Sequence, residues 1–187
     1  SLSVVLMESP IAVFLLVIAT VVIGLVLLVL SGVYAAYQSS KVYVQQEVTN
    51  IANGLYITVS KPANVRSGTS AYILVPYDFN YNGTIYITAF YVPSYMEGNQ
   101  LVSPQFAYTE NNEIVYAEIN GTKPTVTTTT LYFTNLNVMY QGKVSLWETV
   151  TGAPQIITVS PPKGYVPVVL IFAQVDNKFV EVGYEWL

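Results

Sequence analysis

The hydrophobic pattern divides the chain at about residue 53 into an apolar N-terminal segment and a longer region of alternating apolar and polar positions. Residues 11–30 are apolar or small throughout and read IAVFLLVIATVVIGLVLLVL. At 1.5 Å per residue, a helix of this length spans a hydrocarbon core of roughly 30 Å. Because it is apolar on every face, we expect lipid or other apolar helices around it.

The helix is predicted to continue past residue 30 with a single apolar stripe facing the globular domain. The stripe positions have helical spacing and comprise Val33, Ala36 or Tyr37, Val44, Val48, and Ile51 or Ala52. Asn53-Gly54 is a residue pair expected at a helix C-terminus. Ser9-Pro10 is a good start pair, although a helix that also covers residues 1–8 would be kinked at Pro10. From Pro10 to Asn53 the helix has about 44 residues and is about 66 Å long.

From Leu55 onward the period changes from helical to alternating, in short runs rich in Val, Ile, Thr and Tyr. Such runs, separated by Gly, Pro and Asn turn signals, predict strands. Asp176-Asn177 is expected to form a tight hairpin. The predicted strands are 55–60, 71–77, 84–92, 113–119, 125–133, 137–141, 143–150, 155–160, 166–175 and 178–186.

Together these elements predict an α+β fold: a long N-terminal hydrophobic helix followed by an antiparallel β-sandwich of the immunoglobulin type. The predicted domains are residues 1–53, the helix, and residues 54–187, the β-sandwich. The four threonines 127–130 are interpreted as strand rather than as a sugar-bearing stalk. The chain has no cysteine, so the Cys-Trp-Cys hallmark is absent and only the architecture is implied.

The composition leaves little room for catalysis or for metal binding. The chain contains no His and no Cys, which removes the usual metal ligands, the usual general base near neutral pH and the thiol nucleophile. It also has no Gly-rich phosphate loop. We therefore expect no enzyme activity, no catalytic residue, no metal and no cofactor. Seven Lys plus Arg are scattered singly, so nucleic acid is not expected as the primary ligand.

Two pairs of carboxylates are close in sequence: Glu110 with Glu113, and Glu181 with Glu185. We interpret both as solvated surface with ordinary pKa values rather than as catalytic pairs. The sixteen Tyr residues are interpreted as core and subunit-contact residues rather than as a sugar-binding surface.

Asn82 and Asn120 each begin an Asn-Gly-Thr sequon at a predicted turn. In an exported protein this tripeptide accepts an N-linked glycan on an exposed loop. The alternative for each is a plain Asn-Gly turn without a glycan.

Glu8 is the charged residue next to the apolar run. An ionised group near a membrane or filament centre needs a partner, and the α-amino group of Ser1 on a neighbouring subunit is the candidate. The alternative is a Glu8 side chain in solvent or among lipid headgroups. The first residue is Ser1, not Met, which suggests cleavage before the apolar segment, the alternative being an arbitrary start of the sequence.

Residues 1–37 resemble the mature N-terminus of an archaeal type IV pilin, by pattern rather than by a specific motif. The resemblance implies a precursor cut by a prepilin peptidase, with Ser1 as the processed N-terminus. Bacterial members usually begin with an aromatic residue and carry a Glu in the first turn or two, so Ser1 and Glu8 favour the archaeal branch. The helix would become the filament core, through Ile11, Phe14, Leu15, Ile18, Val22, Leu25 and Leu28.

The resemblance implies a structural subunit of an extracellular filament used for surface or cell adhesion. Its partners would be further copies of itself in a helical homopolymer, the membrane before assembly, the pilus assembly machinery, and glycans or cell surfaces. The alternatives are a subunit of the archaellum, which shares the plan, and a single-pass, membrane-anchored surface binding domain. A membrane-anchored enzyme has the least support.

Overall fold

The computed structural model describes residues 2–187, with side chains from Ser9 onward. Helix α1 runs over Leu2–Gly54, 53 residues, and contains Pro10 in its interior. The helix therefore covers residues 2–8, and a start at Ser9-Pro10 was the wrong alternative. Ser1 and the side chain of Glu8 lie outside the described residues, so the ion pair and the processed N-terminus stay predictions.

The chain forms two compact units, residues 1–43 and 44–187. The division falls before Val44 and not before Gly54, because Val44, Val48 and Ile51 are buried in the core of the second unit. The earlier part of the predicted apolar stripe behaves differently, since Val33 and Tyr37 are exposed. The amphipathic packing predicted for the whole second half of α1 is thus confined to its last turns.

Helix α1 ends at Gly54 because the loop at residues 78–80 closes over its C-terminus. Phe79 N donates to the carbonyl of Gly54 at 2.9 Å, and Asn80 Nδ2 donates to the carbonyl of Asn50 at 2.9 Å. A Cβ on Gly54 would lie 2.5 Å from Asp78 Oδ1. Gly54 does not have a positive φ, so close approach of the loop, rather than a left-handed cap, requires glycine here.

Thirteen strands follow the helix. They are β1 Leu55–Val59, β2 Ala63–Arg66, β3 Thr69–Asp78, β4 Thr84–Pro93, β5 Thr109–Glu110, β6 Glu113–Ile114, β7 Glu118–Ile119, β8 Val126–Tyr132, β9 Val138–Ser145, β10 Trp147–Val150, β11 Gln155–Val159, β12 Tyr165–Val175 and β13 Lys178–Trp186. Short 3-10 helices lie at Ser94–Met96 and Pro104–Phe106.

The strands form a five-stranded sheet, β1-β3-β11-β7 with β2 also paired to β3, and a six-stranded sheet, β10-β4-β12-β13-β8-β9. Strands β5 and β6 pair separately. All described pairs are antiparallel except β13 with β8, which is parallel. The α+β fold with a helix before an antiparallel-rich β domain is confirmed, and the parallel pair is the departure from a purely antiparallel sandwich.

The six-stranded sheet is covered on both faces. One face packs on the five-stranded sheet, where Leu74 and Ile157 meet Ile87 and Ile171. On the other face, alternate residues of β4 and β12 form a second cluster with Met96 and Val102 of the segment after β4. The strand residues of this cluster are Phe90 and Val92 of β4 and Val168, Leu170 and Phe172 of β12. The double burial explains why β12 is almost continuously apolar.

The connections partly follow the prediction. Asp176 and Asn177 have φ of 51° and 58° and join β12 to β13 as the predicted tight hairpin. The threonine run lies in β8, as predicted. The strand predicted at 113–119 is instead two short strands, β6 and β7, and β9 continues through Gly142, where the sequence predicted a break.

Candidate functional site

The candidate site on α1 is an uncharged apolar surface that no other described part of the chain covers. Every residue of 9–37 is exposed in the single chain. The residues predicted to form a filament core are between 44% and 69% exposed, namely Ile11, Phe14, Leu15, Ile18, Val22, Leu25 and Leu28. Soluble monomers rarely expose contiguous apolar patches larger than a few hundred Å². This surface therefore needs a covering of lipid or of other apolar groups.

The polar and small residues of this segment suit an apolar surrounding. The hydroxyl of Thr20 donates to the carbonyl of Leu16 at 2.8 Å, so the helix itself satisfies it. Gly24 and Gly32 have open space where a Cβ would lie. Small residues of this kind let a second helix approach closely. The described part of α1 is also long and apolar enough to cross a membrane, as an anchor or an N-terminal signal does.

The two sequons have different surroundings. Asn82 is exposed in the loop before β4, and its side chain makes no hydrogen bond within residues 9–187. Asn120 has φ of 53°, donates through Nδ2 to Gln155 Oε1 at 2.8 Å and accepts at Oδ1 from Ile156 N at 2.8 Å. The amide of Asn120 thus holds the turn after β7 against β11, whereas that of Asn82 is free to be modified.

One of the predicted surface carboxylates is buried instead. Glu181 is 6% exposed, and burial raises the pKa of its carboxyl to about 8. Glu185 is half-buried and its pKa is also raised by desolvation. Glu110 and Glu113 are exposed in the short β5–β6 hairpin, and Glu110 accepts from the hydroxyl of Tyr108 at 3.2 Å. The prediction of solvated surface was therefore wrong for Glu181.

Asp78 is a second buried carboxyl that the sequence did not single out. Its pKa is raised mainly by desolvation, although the backbone N–H of Asn80 donates to Oδ1 at 2.8 Å and works in the opposite direction. For Glu181 a sequence signal exists: alternation along β13 places it on the same face as Phe179, between Val180 and Val182. For Asp78, next to a turn, we find no such signal.

The tyrosines are divided between core and surface. Tyr91 and Tyr116 are inward-facing, and their hydroxyls accept from Ser160 N and Ser145 N at 2.8 Å and 3.0 Å. Burial raises the pKa of Tyr116 to about 12. Tyr34, Tyr43 and Tyr95 are exposed, so the interpretation as core residues applies to part of the set, and subunit contact by the exposed tyrosines stays a prediction.

In comparisons with known proteins, no family model, no curated protein and no solved structure matches the chain. Within residues 9–187, no cluster of acidic side chains is arranged to hold a metal ion. Helix α1 thus remains the candidate functional site on physical grounds.

Proposed function

We propose that the chain is a structural subunit of an extracellular, type IV pilus-like filament whose core is made of packed N-terminal helices. The observation that carries the proposal is the uninterrupted exposure of residues 9–37, a stretch with no charged side chain. Each of about twenty such side chains gains roughly 1.5–3 kcal/mol on leaving water. Release of a subunit into water therefore costs tens of kcal/mol, which makes a polymer outside the membrane effectively permanent.

The β domain fits the surface of such a filament. Its own core is complete, with Leu74, Ile87 and Phe172 fully buried. Heterologous contacts that do not close into a ring generate open helical polymers. The domain would then coat the rod and meet surfaces or other cells, and adhesion is the role that we propose for the filament.

Electron microscopy of the purified chain at neutral pH without detergent tests the proposal. Filaments with a helical core are expected. Material that stays soluble only as single chains in detergent would contradict it.

A second function, a single-pass membrane-anchored binding domain, is favoured by the length and apolarity of α1 alone. The substitution Leu25→Ala separates the two. In a packed helical rod it leaves a cavity that costs about 2–5 kcal/mol per subunit, so filament melting falls. In a bilayer, lipid tails fill the space and little changes. Absence of filaments, together with a melting temperature of the membrane-embedded chain that Leu25→Ala leaves unchanged, would therefore favour the anchored domain.

A further inference from the structure

Three asparagines of the chain are followed directly by glycine: Asn53, Asn82 and Asn120. This dipeptide can cyclise without an enzyme, because a following residue without a Cβ leaves its backbone nitrogen open to attack the asparagine side chain. The reaction needs a free side-chain amide, a free backbone N–H and a backbone that can change its conformation. The structure supplies these conditions at one of the three sites.

Asn53 is protected by secondary structure, since Asn53 and Gly54 form the end of helix α1. Inside a helix the backbone N–H donates to a carbonyl of the preceding turn, so the Gly54 nitrogen is already used. Packing opposes local unwinding, because a Cβ on Gly54 would lie 2.5 Å from Asp78 Oδ1 and 2.8 Å from Asn80 N. The helix and the loop that closes over it therefore keep Asn53 from reacting.

Asn120 is protected by its own side chain. Nδ2 donates to Gln155 Oε1 and Oδ1 accepts from Ile156 N, both at 2.8 Å. Gln155 is itself buried and accepts a further hydrogen bond from Trp147 Nε1 at 3.0 Å. Both bonds of the Asn120 amide must break before its carbonyl carbon can turn toward the nitrogen of Gly121. The reaction here therefore requires local unfolding.

Asn82 has neither form of protection. It is exposed in the irregular segment between β3 and β4, and within residues 9–187 neither its side-chain amide nor the N–H of Gly83 makes a hydrogen bond. Thr151 N donates to the carbonyl of Gly83 at 3.1 Å, and the Tyr81 hydroxyl donates to the carbonyl of Thr84 at 2.9 Å. Those bonds hold the segment through its carbonyls and leave both reacting groups free.

We propose that Asn82 is a self-modifying site, at which the backbone nitrogen of Gly83 attacks the side-chain carbonyl carbon of Asn82 and expels ammonia. The new N–C bond closes a succinimide ring, and the amide proton of Gly83 leaves with the ammonia. Water then opens the ring at either carbonyl, which gives aspartate or isoaspartate and adds a negative charge. Nothing is oxidised or reduced. The reaction also destroys the sequon, since an acid has no amide nitrogen to carry a glycan.

The reaction requires only the folded β domain and does not depend on filament assembly. Its consequence for the organism rests on the proposed function: subunits that stay in a filament keep every charge that they gain. Older filaments would then carry more acid at residue 82 than new ones. Failure of the chemistry at Asn82 would leave the proposed filament untouched, so the two ideas fail separately.

The test uses the full chain, made in a bacterium without N-glycosylation and incubated in detergent at mildly alkaline pH. Peptide mapping by mass spectrometry follows all three Asn-Gly steps in parallel, with electron-transfer fragmentation to distinguish isoaspartate from aspartate. In the folded chain Asn82 should react at least about tenfold faster than Asn53 and Asn120, because breaking the protecting hydrogen bonds raises their barrier. In guanidinium chloride the three steps should react at similar rates.

Two variants that both remove the sequon serve as a matched pair. Thr84→Ala keeps the Asn82-Gly83 step and should leave its rate unchanged. Asn82→Gln keeps an amide but lengthens the side chain, so the ring that closes readily is lost and no reaction is expected there. An unmodified Asn82 in the folded chain, over an interval in which the unfolded chain reacts, would overturn the proposal. So would equal rates at the three steps in the folded chain.

Discussion

The two units of this protein are both built on apolar side chains, yet they use them in opposite ways. Val22 in the first unit is 52% exposed, whereas Val48, further along the same helix, is fully buried. The residue type and the secondary structure are the same. The difference is that Val48 meets a sheet of its own chain, while the surface around Val22 has no partner within its chain. Apolar content therefore indicates that a segment must be buried away from water. Only the packing shows whether the same chain or another molecule buries it.

A charge placed on the exposed surface is expected to have the largest effect. Val22→Asp should abolish filaments, because an ionised carboxylate among packed apolar helices costs several kcal/mol in every subunit. The measurement is electron microscopy of detergent-free material.

Val65→Asp is the matched control, since Val65 is 57% exposed on β2. It should leave filaments intact. Equal filament yields from the two variants would remove the distinction between the two exposed surfaces.

A deletion in the core of the second unit should be the next largest effect. Leu170 is fully buried in the cluster under the segment after β4, so Leu170→Ala should lower the free energy of unfolding of the β domain by about 2–5 kcal/mol. Leu25→Ala should leave that free energy unchanged, because Leu25 is exposed and lies in the other unit. Thermal unfolding of both variants, followed by near-UV circular dichroism in detergent, measures the contrast. Similar losses in both would contradict it.

The pH dependence of stability should arise in the second unit, since residues 9–40 contain no carboxylate, Lys or Arg. Glu181 has a folded pKa of about 8 against an ordinary value of 4.5. Between these values the folded state holds a proton that the unfolded state has lost, so stability falls as pH rises. The loss from pH 5 to pH 8 should be roughly 2–5 kcal/mol.

Asp78 and Glu185 contribute in the same direction, since their pKa values are also raised. Melting temperatures across this range measure the slope, and Glu181→Gln should flatten most of it. A melting temperature that increases from pH 5 to pH 8 is the contrary outcome.

Glycine substitutions probe the same helix at its C-terminus and near its middle. Gly54→Ala should destabilise the β domain by about 1–3 kcal/mol, because the new Cβ meets Asp78 Oδ1 and Asn80 N. Gly32→Ala has open space and should favour the helix by up to about 1 kcal/mol. Chemical denaturation of the two chains compares them. An unchanged free energy of unfolding in the Gly54→Ala chain would mean that the loop after β3 moves aside.

The smallest effect is expected at the sequons. In a glycosylating host, Asn82→Gln should remove a glycan of the mature chain without changing stability, because the side chain of Asn82 is exposed and makes no described hydrogen bond. Asn120→Ala should instead cost about 1 kcal/mol through its lost hydrogen bonds to Gln155 and Ile156. Mass spectrometry of intact chains and thermal melts separate the two. A glycan found on Asn120 and not on Asn82 would reverse the assignment.

Most of the secondary structure was predictable from local pattern. The apolar run 11–30, the change of period at Leu55 and the Asp176-Asn177 hairpin depend on residues close in sequence, and each appears as expected. The division of the predicted strand 113–119 into β6 and β7 was not predictable, because it depends on which partner strands are available. Strand β7 pairs with β11, and β6 pairs with β5. The parallel pairing of β8 with β13 has the same origin.

The sequence by itself determined that residues 11–30 form an apolar helix without a charge and that a β domain follows, because periodicity and composition are local properties. Tertiary structure decided that Val44 begins the second unit, that Gly54 must be glycine and that Asp78 is buried. These features depend on contacts between residues far apart in the chain. The environment of a carboxyl group is set by the residues around it in space. The pattern of residues next to it in the sequence does not reveal that environment.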